Sequence, residues 1–310
     1  RVRAWDGQVL PRRRAPKAQA IYDEIGGKSP IVENTEAQAK ALEASLSGHG
    51  QVKVFTCMRY WHPLAGECAN KVKEYNPDHI ILLPLYPQFS TTTTGSSFKD
   101  WAQAAEKVGL KNTPTSQVCC YPSHDEFVKA HTQLIRTYYQ EAERFGKPRI
   151  LFSAHGLPEK IVKRGDPYQM QVELGTQAIL KMLGVADPDY VNCYQSRVGP
   201  MKWIGPSTES ELLRAGFEKK PVVLVPIAFV SEHSETLVEL DIEYAELAHS
   251  NGINHYYRVP TLSTHAHFIA ALADICLKQT TQGGLAPDTG VRICGKEWGG
   301  CLCKPAGQQA

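Results

Sequence analysis

The chain has 310 residues, 42% hydrophobic and 21% charged, with a formal net charge of +2. That length suggests two domains with room for a sizeable core, and a balance so close to neutral gives no global field to draw in nucleic acid. The longest apolar run, Pro221 to Val230, is ten residues long, too short to span a membrane.

No signal peptide is visible after Arg1, and residues 1 to 17 hold six basic residues, including Arg12-Arg13-Arg14. A short helix over Gln19 to Ile25 is stopped by Gly26-Gly27, and a second runs from Thr35 to Leu46. Strands are expected at Gln51 to Thr56, His79 to Leu85 and Ser116 to Tyr121, separated by helices at 66–75 and 98–108 and followed by one at 125–144. Gly146-Lys147-Pro148 is the natural domain boundary. A second series begins there: strands at 149–154, 190–194, 221–227 and 254–259, with helices at 168–183, 208–215 and 265–278. Strands alternating with helices mean parallel sheets joined by crossovers. The first half is one strand short of the second, so residues upstream of Arg1 are expected in the natural chain.

Between the last two strands, Pro226 to Tyr244 carries a buried strand into a polar loop and then a helix. Glu235, Glu239, Glu243 and Glu246 share one helical face, while Leu237, Leu240, Tyr244 and Leu247 share the other. Such a face is commonly just solvated. Four strand ends, however, finish in reactive side chains: His124, His155, Ser196 with Arg197, and His233 with Glu235. Ligands of open α/β sheets bind at the carboxyl ends of strands. Imidazoles with carboxylates suit proton transfer or transient binding of a divalent metal. There is no Walker loop and no GxGxxG.

The tail is a separate signal. Cys294-x6-Cys301-x-Cys303 lies among Gly295, Gly299 and Gly300. Three cysteines so close in a loop-rich stretch suggest an iron–sulfur cluster or zinc rather than packing. Nine cysteines, without even spacing, argue against a secreted disulfide framework and for a reducing compartment.

LFSAHGLPEKIVKRGDPY (151–168), YQSRVGPMKWIGPST (194–208) and PIAFVSEHSETLVELDIEY (226–244) resemble the ferrochelatase family. So do RRRAPKAQAIYDEIGGKSPI (12–31), MRYWHPL (58–64) and LYPQFSTTTTGSS (85–97), in the family's order. The family's N-terminal strand is missing from this sequence. The resemblance implies an α/β fold of two Rossmann-like domains, residues 1–146 and 147–282, each a parallel sheet flanked by helices, with an iron–sulfur tail at 283–310. It implies insertion of ferrous iron into protoporphyrin IX to make protohaem. A related chelatase for another tetrapyrrole or metal, or a passive haem- or metal-binding protein, is the alternative.

By the same resemblance His155 is the pocket histidine, serving proton abstraction or metal delivery, with Glu235 as the carboxylate facing it across the ring. His233 is expected to orient Glu235, and Glu239 and Glu243 continue an acidic route. His124 and Asp274 match two further catalytic positions; Arg14, Tyr22 and Ser29 match porphyrin contacts, and Arg59 with Tyr60 line the same wall. Some relatives carry a [2Fe–2S] cluster on such a tail. The fourth ligand falls to Cys120 or Cys119, and Cys120 is the choice made from the sequence; Cys276 is a further candidate. The implied partners are protoporphyrin and Fe²⁺, with peripheral membrane contact and a homodimer left open. The implied location is the cytoplasm, peripheral to the inner membrane, or the matrix side in a mitochondrion.

Overall fold

The computed structural model describes Gln19 and residues 21–303. The basic arm, Arg14 included, lies outside the described residues. Two parallel sheets organise the rest.

The first sheet has the order β1-β2-β7, with β1 at Ile80–Leu82, β2 at Thr115–Val118 and β7 at Leu285–Ala286. Ile80 pairs with Thr115, and Gln117 pairs with Leu285. The second has the order β4-β3-β5-β6: β3 at Arg149–His155, β4 at Asp189–Gln195, β5 at Val222–Pro226 and β6 at Tyr256–Arg258. All its pairings are parallel, so the strands are joined by helical crossovers and their carboxyl ends point the same way. β5 is buried throughout, and Ile150, Leu151 and Phe152 of β3 are 0% exposed. Each such side chain contributes about 1.5–3 kcal/mol by leaving water, which fixes the register that sets His155 at the tip of β3.

Three expectations change here. Residues 51–56 form no strand. Their alternation is real, since Val52 and Val54 pack on the core, but the Glu43 carboxylate takes the Val54 N–H at 2.9 Å, where a strand partner would. The helix Ala266–Gln282, assigned above to the second half, packs on Asp125–Glu143 and Ile31–Leu46 of the first. The tail then adds β7 to the first sheet, so it is part of that half rather than an appendage. The acidic helix is not regular: Ser234–Leu237 passes through a π-helical turn at Glu239–Glu243 before Tyr244–Ser250.

Polar side chains clamp the halves together. Asp166 accepts from the Ser90 hydroxyl at 2.9 Å and from the Thr91 N–H at 2.8 Å. Gln38 donates to the carbonyls of Val230 at 2.8 Å and Ser263 at 3.0 Å, and accepts from the Ser231 hydroxyl at 3.0 Å.

At the opposite end of the second sheet from His155, Arg149 is 4% exposed and grips Asp189 through Nε at 2.9 Å and Nη2 at 3.1 Å, with Glu218 at 2.7 Å. Burial works against ionisation of Asp189, but Arg149 and Lys220 outweigh it and hold the carboxyl below its usual range. A depressed carboxyl contributes stability above its unfolded value, and that contribution is lost as pH falls through the folded one. Asp189→Asn is therefore expected to cost roughly 1.5–3 kcal/mol near neutral pH, because the buried guanidinium keeps Glu218 but loses its bidentate carboxylate. In chemical denaturation the gap to the parent protein should close as pH drops below about 4; a gap independent of pH would show that the carboxylate charge is not the cause.

Candidate active site

His155 ends β3, and its Nδ1 lies 2.8 Å from the Gly156 carbonyl. A carbonyl only accepts, so Nδ1 carries a proton and Nε2 is the nitrogen turned toward Glu235. That Nε2 is 3.6 Å from Oε2 of Glu235, and both side chains are partly exposed, at 42% and 37%. Gly156 makes this corner possible: a Cβ there would meet the Gln195 carbonyl at 3.0 Å and Arg197 at 3.1 Å.

The 3.6 Å contact overturns one expectation. A flat ring needs about 3.5 Å of van der Waals clearance on each face, so no macrocycle lies between His155 and Glu235. They form one pair at the strand ends of the second sheet.

Behind Glu235 a chain of hydrogen bonds leads away from the pair. Ser196, held in the left-handed region at φ 57°, caps β4 and points its hydroxyl at Glu235 Oε2 at 3.2 Å and Glu239 Oε2 at 2.6 Å. Its N–H donates to Glu239 Oε1 at 2.7 Å, and Gln195 donates to Glu239 at 3.0 Å. Tyr244 then sits 3.0 Å from both Glu239 and Glu209. Burial, reinforced by those two carboxylates, pushes the Tyr244 phenol up, so it stays a donor. One hydroxyl proton cannot serve two carboxylates at once, so the relay holds an additional mobile proton or leaves one contact unmade. The π-helical turn, closed by the Glu243 N–H on the Val238 carbonyl at 2.9 Å, breaks the regular stripe: Glu239 is half-buried in the relay, while Glu243 and Glu246 are exposed. Tyr244, which periodicity placed on the apolar face, belongs to the relay, as does Glu209 from the neighbouring helix. Gln195 and Ser196 were legible as a polar strand end; Glu209 gave no signal of its own.

Other expected residues are placed more loosely. His233 directs Nδ1 to the Ser231 carbonyl at 3.0 Å, and among the described residues it makes no hydrogen bond to Glu235. His124 is buried and paired through Nε2 with Asp274 Oδ2 at 2.8 Å. Burial opposes the charge on Asp274, but Lys278 and His124 win and hold the carboxyl below its usual range. No hydrogen bond or ion pair joins His124 to His155 or Glu235 among the described residues. Tyr22 and Ser29 are half-buried before the helix Ile31–Leu46, where the Ser29 hydroxyl accepts from the Ile31 N–H at 3.3 Å. Tyr60 is 75% exposed beneath the Arg59 guanidinium, 4.8 Å away. Burial raises the Tyr86 phenol, reinforced by Tyr60 and Glu235 and opposed by Arg59.

The tail forms the second centre. The sulfurs of Cys119, Cys301 and Cys303 lie within 4.8 Å of one another, all buried. Cys294 lies in the same buried cluster and accepts from Gln171 at 3.2 Å. Cys119, not Cys120, is the residue of β2's extension that meets them; neighbours in an extended chain face opposite ways, and Cys120 stands at the edge of the group. Cys276 lies in the main core cluster, apart from these sulfurs. Arg292, unnoticed in the sequence, organises the loop by donating to the carbonyls of Cys294, Gly295, Trp298 and Cys303 at 2.8–3.1 Å. Gly165 and Gly300 meet backbone to backbone, where a Cβ on Gly165 would come within 2.8 Å of the Gly299 nitrogen. The packed sulfurs raise the thiols of Cys294 and Cys303, through contact with neighbouring cysteines and through burial. So dense a set of buried thiols is costly to ionise without a cation among them, which is the donor chemistry of a metal–sulfur centre.

Two parallel sheets with an imidazole–carboxylate pair at their strand ends define a metal chelatase. The sirohydrochlorin chelatase SirB from Bacillus subtilis subspecies spizizenii shares the fold, with a TM-score of 0.54 at 14% identity over 81% of this chain and 90% of its own. The SirB structure from Bacillus subtilis with Fe³⁺ gives 0.51 at 16% identity, over 78% and 88%. The Ferrochelatase family model matches residues 2–280. Ferrochelatases from Wolbachia sp. subsp. Drosophila simulans (54% identical, 87% of this chain, 85% of that one) and Caulobacter vibrioides (48%, 96% and 85%) are similar throughout. The chain belongs to the ferrochelatase family. Its activity is that of the family, insertion of ferrous iron into protoporphyrin in haem synthesis.

Proposed function

We propose that iron enters protoporphyrin IX over the His155–Glu235 pair, which removes the two pyrrole protons from one face of the ring. The observation that carries this is the 3.6 Å contact of an imidazole Nε2 with a carboxylate at the partly open end of the second sheet. A general base must reach the pyrrole N–H within hydrogen-bond distance, and a pair sharing one proton acts as base and reservoir together. Ser196, Glu239, Tyr244 and Glu209 lead the protons away. Arg59, Tyr60 and Tyr86 flank the ring, and the His124–Asp274 pair acts at a separate point. The anaerobic protein mixed with Fe²⁺ and protoporphyrin should develop the haem spectrum catalytically; porphyrin that stays metal-free would end this reading.

Cys119, Cys294, Cys301 and Cys303 fit a [2Fe–2S] cluster. Held there, it would tie the tail to the first sheet through Cys119. Peripheral contact with the cytoplasmic or matrix face of a membrane is consistent with Tyr60 and Trp61, 75% and 65% exposed, and with a poorly soluble substrate. No helix among the described residues is long and apolar enough to cross a membrane.

A further inference from the structure

Gln171 is a polar residue on a buried helical face. Along Tyr168–Leu183 that face runs through Tyr168, Gln171, Val172, Gly175 and Ile179, and Gln171 is 0% exposed. An amide at that depth is costly unless both of its ends are bonded. Both are. The Phe89 N–H donates to Oε1 at 2.7 Å, and Nε2 donates to Cys294 Sγ at 3.2 Å. A backbone N–H can only donate, so it takes the amide oxygen and leaves the nitrogen facing the sulfur. Phe89 is itself 0% exposed and belongs to the same buried cluster as Cys119, Cys294, Cys301 and Cys303. Two further bonds converge on this stretch. Asp166 accepts from Ser90 and Thr91, and the Gly165 carbonyl accepts from the Gly300 N–H beside Cys301. Residues 165–171 thus fix the tail and the 89–91 segment against one another, and Gln171 is the member that reaches a sulfur.

We propose that Gln171 is a positioning residue for the tail centre: its amide fixes Cys294 as a ligand and raises the midpoint potential of the iron–sulfur group held there. A neutral thiol is a weak acceptor, whereas a metal-bound thiolate carries negative charge and takes an N–H well. A buried donor aimed at Cys294 Sγ therefore suits a ligand better than a packed thiol. An added electron puts more negative charge on the sulfurs, so a donor at Cys294 favours the reduced form and moves the potential up. The Phe89 N–H on Oε1 polarises the amide and strengthens its other end as a donor.

This rests on the metal–sulfur reading of the tail, and the test separates the two. The full protein is purified anaerobically, its iron and acid-labile sulfide are measured, and its visible absorption is followed through a reductive titration with dithionite. Gln171→Met keeps the length of the side chain and removes the donor. It should retain the colour, with the equilibrium constant for one-electron reduction about tenfold lower, a fall of about 59 mV. Gln177→Met, at an exposed position farther along the same helix, should leave the potential at the parent value. A second measurement uses the parent protein alone, labelled with ¹⁵N at the glutamine side-chain amides. Pulsed electron paramagnetic resonance of the reduced centre should show a ¹⁵N coupling, which reads the bond even where Gln171→Met fails to fold. A coloured Gln171→Met protein with an unshifted potential, or a reduced parent centre without that coupling, would overturn the role of Gln171 and leave the centre standing. A parent protein without iron and sulfide would overturn both.

Discussion

His155→Ala should lower kcat for iron insertion by about three orders of magnitude while leaving the thermal midpoint within a degree or two. The ring is 42% exposed at a strand tip and its removal leaves no buried polar group without a partner, so the fold loses little. The chemistry loses Nε2, which the Nδ1 bond to the Gly156 carbonyl turns toward Glu235. Glu235→Gln keeps the size of the side chain and removes its capacity to hold a proton, and it should fall nearly as far. If the two act as one proton-sharing unit, the double variant is hardly worse than either single one. Turnover near normal in His155→Ala would remove the base from the mechanism, and multiplicative losses in the double variant would separate the pair into independent groups.

Cys119→Ser is expected to bleach the visible absorption of the purified protein and to release the tail; Cys120→Ser should do neither. The tail is also held by β7, by the Cys119 N–H on the Ala286 carbonyl at 2.7 Å, the Asp288 N–H on the Cys120 carbonyl at 3.1 Å and the Gly300–Gly165 bond at 2.9 Å, and by Ile293 and Trp298 packed with Phe89 and Met170. Losing a metal centre that binds only the folded state removes its whole binding energy from stability, so the midpoint should fall by several degrees and limited proteolysis should cut near 290–300. Colour retained in Cys119→Ser and lost in Cys120→Ser would reverse the assignment. Stoichiometric zinc without inorganic sulfide would replace the cluster with a zinc site.

Much of this was readable from residues alone, and the failures have physical causes. The buried strands of the second half are continuous apolar runs bounded by Gly, Pro and charge, and β3, β5 and the helix Tyr168–Leu183 fall where those patterns place them. His155 and Glu235 were legible because strand ends converge. Their mutual side was not, since topology says which loops meet but not whether two side chains approach one face of a ligand or both. Cys119 and Cys120 are adjacent, and a two-residue period distinguishes faces without saying which face the tail will cover. The π-helical turn shifts Glu243 out of the relay and Tyr244 into it, a change of register that a 3.6-residue period cannot express. The 51–56 segment has the alternation of a strand, but a carboxylate can satisfy a backbone N–H as well as a neighbouring strand can.

Strand β7 has a bearing on biogenesis. Its partner Gln117 leaves the ribosome 168 residues before Leu285. Throughout that interval one flank of β2 stays open, offering unpaired backbone to any other nascent chain. The amino-terminal half can therefore close its sheet only once Leu285 has emerged, and truncation just before β7 should yield a polypeptide prone to self-association.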